Sequence, residues 1–90
     1  MSIEDWRTRI DEIDRKLVKL MNDRSQCVLE IARIKKQRNM KVVDPEREKK
    51  VFRNVKSENN GPLDADGLQR IFERIIDESR RIERQLTGEK

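Results

Sequence analysis

The first 40 residues constrain this chain more than any other feature, because the stretch from Ser2 to Met40 contains neither glycine nor proline. Apolar side chains recur along it at alternating spacings of three and four residues, which is typical of a helix that packs along its whole length. Ser2 and Asp5 can form a capping box at its start. The pattern predicts one long helix over about residues 3–39. Its apolar stripe is formed by Ile3, Trp6, Ile10, Ile13, Leu17, Leu20, Cys27, Ile31 and Ile34.

Such a helix is too long for a compact chain of 90 residues. At a rise of 1.5 Å per residue, a helix of about 37 residues is roughly 55 Å long. A globule of this size has a radius of gyration of only about 12 Å. The helix must bend, break or pair with a second copy. We favour pairing, because the apolar stripe continues to Ile34 and has to be covered.

Two shorter helices are predicted after a connector over residues 39–43. Asp44 as N-cap, with Pro45 at the first helical position, starts a helix over about residues 45–58. Asn59–Pro62 is a stop signal, and Asp64 is the N-cap of a third helix over about residues 65–86. The expected fold is all-α, with a long, a short and a medium helix in one domain over residues 1–90.

The composition excludes several kinds of site. The chain has no His and a single Cys, Cys27, so a Cys/His zinc site, a disulfide framework and a Ser/His or Cys/His catalytic pair are all excluded. The solitary Cys favours a reducing, cytoplasmic setting. No apolar run reaches about 18 residues and the start does not read as a signal peptide, so we expect no membrane segment. The net charge of +4 permits an anionic partner without choosing among them.

Polar residues interrupt or border the apolar stripe of each predicted helix. Arg24 occupies the stripe position between Leu20 and Cys27, and Lys35 lies beside the stripe near its end. The simplest common reason is an internal pocket shared by the three helices and lined with cations. The polar residues that share these inward faces are Arg24, Lys35, Asp44, Arg47, Glu48, Ser79 and Glu83.

Cations that converge in a partly buried place need a negatively charged partner. The planar guanidinium of Arg can donate two parallel hydrogen bonds to a carboxylate or a phosphate. The pocket therefore predicts a small ligand that bears carboxylates or phosphates.

An alternative remains open, since 44% of the residues are charged and some of them must fall near any stripe as solvated ion pairs. The basic run over residues 33–38 could contact nucleic acid, but it lacks interleaved aromatic residues. The run over residues 80–84 is interpreted as a mostly solvated face.

Three segments, in this order, carry a family resemblance. The first comprises Trp6–Asp14, Lys16–Leu17, Leu20, Asn22–Arg24 and Ile31–Lys35. The second is Val43–Glu48, and the third comprises Gly61–Leu63, Ile71–Phe72 and Ile75–Ser79. Together they resemble the three helices of the all-helical (AroQ-class) chorismate mutases in their small monofunctional form. The resemblance covers nearly the whole chain.

The resemblance implies an enzyme that converts chorismate to prephenate in aromatic amino acid synthesis, the shikimate pathway. It also implies an intertwined helical homodimer with two equivalent active sites. Arg7 would reach a substrate carboxylate in the partner's site, and Arg24 and Ser79 would bind carboxylate groups in their own. Lys35 would donate to the ether oxygen and a carboxylate. Glu83 lies where the second donor to the ether oxygen belongs.

The second helix would hold the ring hydroxyl through Glu48 and, largely by its backbone, Asp44, while Arg47 adds positive potential. The Claisen rearrangement breaks one bond and forms another within a single molecule, so no cofactor or metal is expected.

Some family members carry Gln at the position of Glu83. Gln donates a hydrogen bond at any pH, whereas Glu donates only when protonated. We therefore predict a rate that rises toward acidic pH and a flatter profile for Glu83→Gln.

Two other readings stay open at this point. An isochorismate pyruvate lyase shares the implied fold and a related cationic pocket, although the full set of Asp44, Arg47 and Glu48 favours the mutase. A non-enzymatic helical dimerisation or RNA-binding module would instead use the basic surface. The expected partners are the dianionic substrate and a second copy of the chain, with no nucleic acid and no membrane.

Overall fold

A computed structural model describes residues 1–89 and contains three α-helices and, over those residues, no β-strand. Helix α1 spans Ile3–Gln37, α2 spans Pro45–Glu58 and α3 spans Ala65–Thr87. The prediction of an all-α chain with a long, a short and a medium helix is confirmed. Over the described residues, no helix combines the length and the apolarity that crossing a bilayer requires.

Each helix begins at a side chain that accepts a hydrogen bond from one of its free backbone N–H groups. The Ser2 hydroxyl accepts a hydrogen bond from the Asp5 N–H at 3.2 Å, and the Asp5 carboxylate accepts one from the Ser2 N–H at 2.9 Å. These bonds lower the pKa of the Asp5 carboxyl. Asp44 and Asp64 accept in the same way at the starts of α2 and α3. The helix starts are therefore encoded locally in the sequence.

Helix α1 ends at Gln37, two residues earlier than the predicted end at about residue 39. Asn39 adopts a left-handed conformation with φ of 58°, which Asn tolerates better than most residues. The Met40 N–H then donates to the Lys35 carbonyl at 2.8 Å. The turn sends the connector back across α1, so that Val42 becomes 97% buried, with a relative exposure of 3%.

The packing of a single chain is sparse. Helix α3 packs against both α1 and α2, and the buried apolar side chains of the described residues are Val28, Ala32, Val42 and Ile76. The chain measures 54 × 23 × 19 Å with a radius of gyration of 16.0 Å, against about 12 Å for a compact globule of this length. One chain thus builds only a small core around the C-terminal half of α1.

The N-terminal half of α1 presents an uncovered apolar face. Its side chains are between 41% and 70% exposed in the single chain. An exposed contiguous apolar face of this kind marks an interaction surface. We call it the open stripe, and it consists of Ile3, Trp6, Ile10, Ile13, Leu17 and Leu20.

Candidate functional site

A cavity of about 490 Å³ lies between the C-terminal half of α1, the α1–α2 connector, α2 and α3. Its apolar wall is provided mainly by Val28, Ile31 and Ile76. Five cationic side chains and three carboxylates also line it, which leaves an excess of two positive charges. These charged groups are Arg24, Lys35, Arg38, Arg47, Arg80, Asp44, Glu48 and Glu83.

Two hydrogen bonds fix the Lys35 ammonium at the wall of the cavity. Its Nζ donates to Glu83 Oε2 at 3.0 Å and to the Val42 carbonyl at 2.8 Å, and the Lys35 and Glu83 side chains are only 12% and 10% exposed. The Val42 N–H in turn donates to Glu89 Oε2 at 2.9 Å. Since an ammonium group has three donors, one N–H of Lys35 remains for a ligand.

Arg24 and Ser79 form a second fixed pair across α1 and α3. Arg24 Nη1 donates to Ser79 Oγ at 2.6 Å, and the Ser79 hydroxyl donates to the Ile75 carbonyl at 2.9 Å. Burial, and secondarily the neighbouring charge of Arg47, lowers the pKa of Arg24. Within residues 1–89 no carboxylate forms a salt bridge with Arg24. An anion bound in the cavity would relieve the unfavourable environment of this cation.

Helix α2 contributes three charged groups to the same cavity. Asp44 Oδ1 accepts the Arg47 N–H at 3.1 Å as the helix cap, which leaves the other carboxylate oxygen free of this bond. Glu48 forms a two-pronged ion pair with Arg80 of α3, from Nε to Oε2 at 2.9 Å and from Nη2 to Oε1. This pair raises the pKa of the Arg80 guanidinium.

Two cations that line the cavity were not among the predicted site residues. Arg80 was placed with a solvated run, and that interpretation is wrong for this residue, since it lines the cavity and pairs with Glu48. Its spacing held the signal, because it lies four residues after Ile76 and three before Glu83 and so shares their helix face. Arg38 was read only as part of a basic cluster.

Arg7 is the one predicted site residue that the single chain does not bring to the cavity. Its side chain is 67% exposed and its Nη1 contacts Glu4 Oε1 at 2.8 Å. Arg24 lies 17 residues after Arg7, which corresponds to roughly 25 Å along a straight helix. Arg7 therefore cannot reach the cavity of its own chain. The other seven predicted residues all line the cavity.

Comparison with known proteins places this geometry in a family. The family model described as chorismate mutase type II matches residues 6–84. A chorismate mutase of Methanocaldococcus jannaschii is 33% identical over 86 residues, which cover 92% of this chain and 85% of that protein. A bifunctional chorismate mutase/prephenate dehydratase of Stutzerimonas stutzeri is 35% identical over 75 residues. The match covers 78% of this chain, which spans about a fifth of that relative's length.

Two solved structures share the fold. A chorismate mutase from Thermus thermophilus superposes with a TM-score of 0.87 at 27% identity, covering 90% of this chain and 92% of that one. A chorismate mutase from Helicobacter pylori, solved in complex with prephenate, also gives a TM-score of 0.87, at 24% identity over 98% of this chain and 96% of that one. At 24% identity, the second likeness shows a shared fold and no more.

Proposed function

This chain belongs to the chorismate mutase type II family, and from that premise we propose that it catalyses the rearrangement of chorismate to prephenate. The observation that carries the proposal is the cavity's excess of two positive charges, which complements a substrate with two carboxylates. Arg24, with its lowered pKa and no carboxylate salt bridge within residues 1–89, is a cation that gains from such a ligand. The resemblance expected from the sequence motifs agrees with the family match.

The reaction breaks the C–O bond of the ether and forms a C–C bond in the same molecule, so atoms and electrons balance without a co-reactant. Two effects accelerate such a step. Holding the dianion in its reactive conformer removes an entropic cost, and fixed cations stabilise the negative charge that develops on the ether oxygen. Arg24, supported by Ser79, is suited to the first task. Lys35, with one N–H left over, is suited to the second.

The remaining roles are those that the family resemblance implies. Glu48 of α2 and, largely through its backbone, the cap residue Asp44 would hold the ring hydroxyl, and Arg47 would add positive potential. Glu83 lies 3.0 Å from Lys35 Nζ and would act as the second donor to the ether oxygen when protonated.

We further infer that the active form is an intertwined homodimer. The open stripe leaves six apolar side chains between 41% and 70% exposed, and burying each would contribute about 1.5–3 kcal/mol. A second copy that packs antiparallel along α1 would cover the stripe with its own. Such an arrangement would also bring the first turns of the partner's α1, and hence its Arg7, toward the cavity.

Mixing two inactive variants tests the contribution of Arg7. In a heterodimer of Arg7→Ala and Lys35→Ala chains, one site combines intact Lys35 with intact Arg7 from the partner, and the other site lacks both. After co-refolding of equal amounts, about half of the dimers are heterodimers and about a quarter of all sites are intact. We therefore expect about a quarter of the wild-type specific activity. The control is each variant refolded alone. If Arg7 served its own chain's site, every site would lack one residue and no activity would return.

The proposed activity is tested directly with purified protein. Loss of chorismate absorbance, with prephenate identified by NMR, is the expected result. A parallel assay with isochorismate detects released pyruvate and separates the mutase from a pyruvate lyase. An intact, helical protein that leaves chorismate unchanged would contradict the mutase proposal.

The pH profile of Glu83→Gln tests the role of Glu83. Glu83 Oε2 accepts a hydrogen bond from Lys35 Nζ, and a carboxyl group donates to an ether oxygen only when it carries a proton. We expect the wild-type kcat/KM to rise toward acidic pH, and the variant, with a permanent amide donor, to give a flatter profile. Glu73→Gln, an exposed change on the same helix, is the control and should follow the wild type. Coinciding profiles for wild type and Glu83→Gln would contradict this role.

A further inference from the structure

The ion pair between Glu48 and Arg80 differs from most other ion pairs of the chain. It joins two helices across 32 positions of sequence, with two hydrogen bonds between one guanidinium and one carboxylate. The Arg80 and Glu48 side chains are 31% and 21% exposed, whereas the neighbouring Arg81–Glu78 pair within α3 is 57% and 63% exposed. A two-pronged, partly buried pair is the kind that holds its partners in a defined orientation.

Helix α2 depends on such a tether more than the other helices do. None of its residues is buried in the described structure, and its packing contacts are with α3. The same helix carries Asp44 at its cap and Arg47 and Glu48 in its first turn, all at the cavity. A bond from α3 to Glu48 therefore sets where the α2 side of the cavity lies.

The pair also controls the charge that the cavity presents to a ligand. Each Glu48 oxygen accepts one bond from Arg80 and keeps a further lone pair for another donor. Without Arg80, the negative charge of Glu48 would face a dianionic substrate uncompensated. Asp77, one turn earlier on α3, also contacts this guanidinium, with Oδ1 at 3.7 Å from Arg80 Nη1.

We propose that Arg80 is a positioning residue of this site: it orients and neutralises the Glu48 carboxylate, so that Glu48 accepts the substrate hydroxyl without repelling the substrate carboxylates. The inference rests on the proposed mutase function. Arg80 acts through Glu48 and does not itself touch the reacting atoms. Its loss affects substrate binding more than the chemical step, because Arg80 bonds Glu48, whereas the donor assigned to the ether oxygen is Lys35.

The test compares Arg80→Gln with Arg80→Lys and with the control Arg81→Gln. For Arg80→Gln we expect kcat/KM to fall about 10- to 100-fold, mostly through a higher KM, with unchanged helical content and oligomeric mass. Arg80→Lys keeps the charge but not the fork and should recover part of the loss. Arg81→Gln removes an exposed cation of the same helix and should remain within about twofold of wild type.

A double-mutant cycle with Glu48→Gln separates positioning from a merely structural effect. Once Glu48 is neutral, Arg80 has no carboxylate to orient or neutralise, so the double variant should be at least about fivefold more active than independent losses would give. Independent losses, or an Arg80→Gln variant that keeps wild-type KM, would overturn the inference while leaving the mutase proposal standing. A wild-type protein that does not convert chorismate would overturn both.

Discussion

Replacing Lys35 with alanine is expected to lower kcat/KM for chorismate by on the order of 10² to 10³ or more, the largest loss among single changes in the cavity. Lys35 is 12% exposed and fixed by Glu83 and the Val42 carbonyl, so its charge is already oriented before substrate binds. Such a group stabilises developing negative charge without having to reorganise. Steady-state kinetics on the purified variant measure the effect.

A stability effect has to be separated from the catalytic one. Lys35→Ala leaves the Glu83 carboxylate, which is 10% exposed at its side chain, without its cation, and an unpaired buried charge destabilises a fold. In the double variant Lys35→Ala/Glu83→Gln this charge is gone, so thermal stability should return while activity stays low. Lys49→Ala, which removes an exposed lysine of α2, is the matched control. Recovery of activity together with stability would contradict a catalytic role for Lys35.

Replacing Leu17 of the open stripe with aspartate is expected to dissociate the proposed dimer and remove activity with it. Leu17 is 48% exposed in the single chain, and each copy would lose about 1.5–3 kcal/mol of apolar burial and gain a carboxylate that must be desolvated. Because a twofold interface contains the change twice, the dissociation constant should rise at least about 10³-fold.

Sedimentation and far-ultraviolet circular dichroism measure this outcome. Since one chain buries few apolar side chains, the dissociated variant should also lose helical content. Arg15→Asp introduces the same side chain two positions away, on the opposite side of α1, and should stay dimeric. A wild-type chain that is a stable helical monomer would refute the dimer, as would a fully active, dimeric Leu17→Asp variant.

The sequence anticipated most of the local structure, because the signals that define it are local. Ser2, Asp44 and Asp64 were recognised as caps from their neighbours, and each accepts the N–H that its position predicts. The end of α1 was placed too late, since neither glycine nor proline marks the turn. The left-handed conformation of Asn39 accompanies the burial of Val42, which is a tertiary contact.

Seven of the eight expected site residues meet in one cavity because they share inward helix faces. Those faces follow from the periodicity of apolar residues, which can be read without knowing how the helices cross. Arg80 was missed because it lies beside an exposed ion pair of the same residue types, formed by Arg81 and Glu78. In a chain with 44% charged residues, the helical period alone does not tell a cavity cation from a solvated one.

By itself the sequence determined that the chain forms three helices, where they start, and that α1 carries more apolar surface than one chain can cover. These follow from capping, periodicity and length, which act within a few residues or along a single helix. Only the tertiary structure decided which charges pair: Lys35 with Glu83 across 48 positions and Glu48 with Arg80 across 32. The partners in these pairs lie on different helices, so the helical period within one helix does not determine which charges meet. That depends on how the helices are placed, and the pairs that form then hold the side chains that line the cavity.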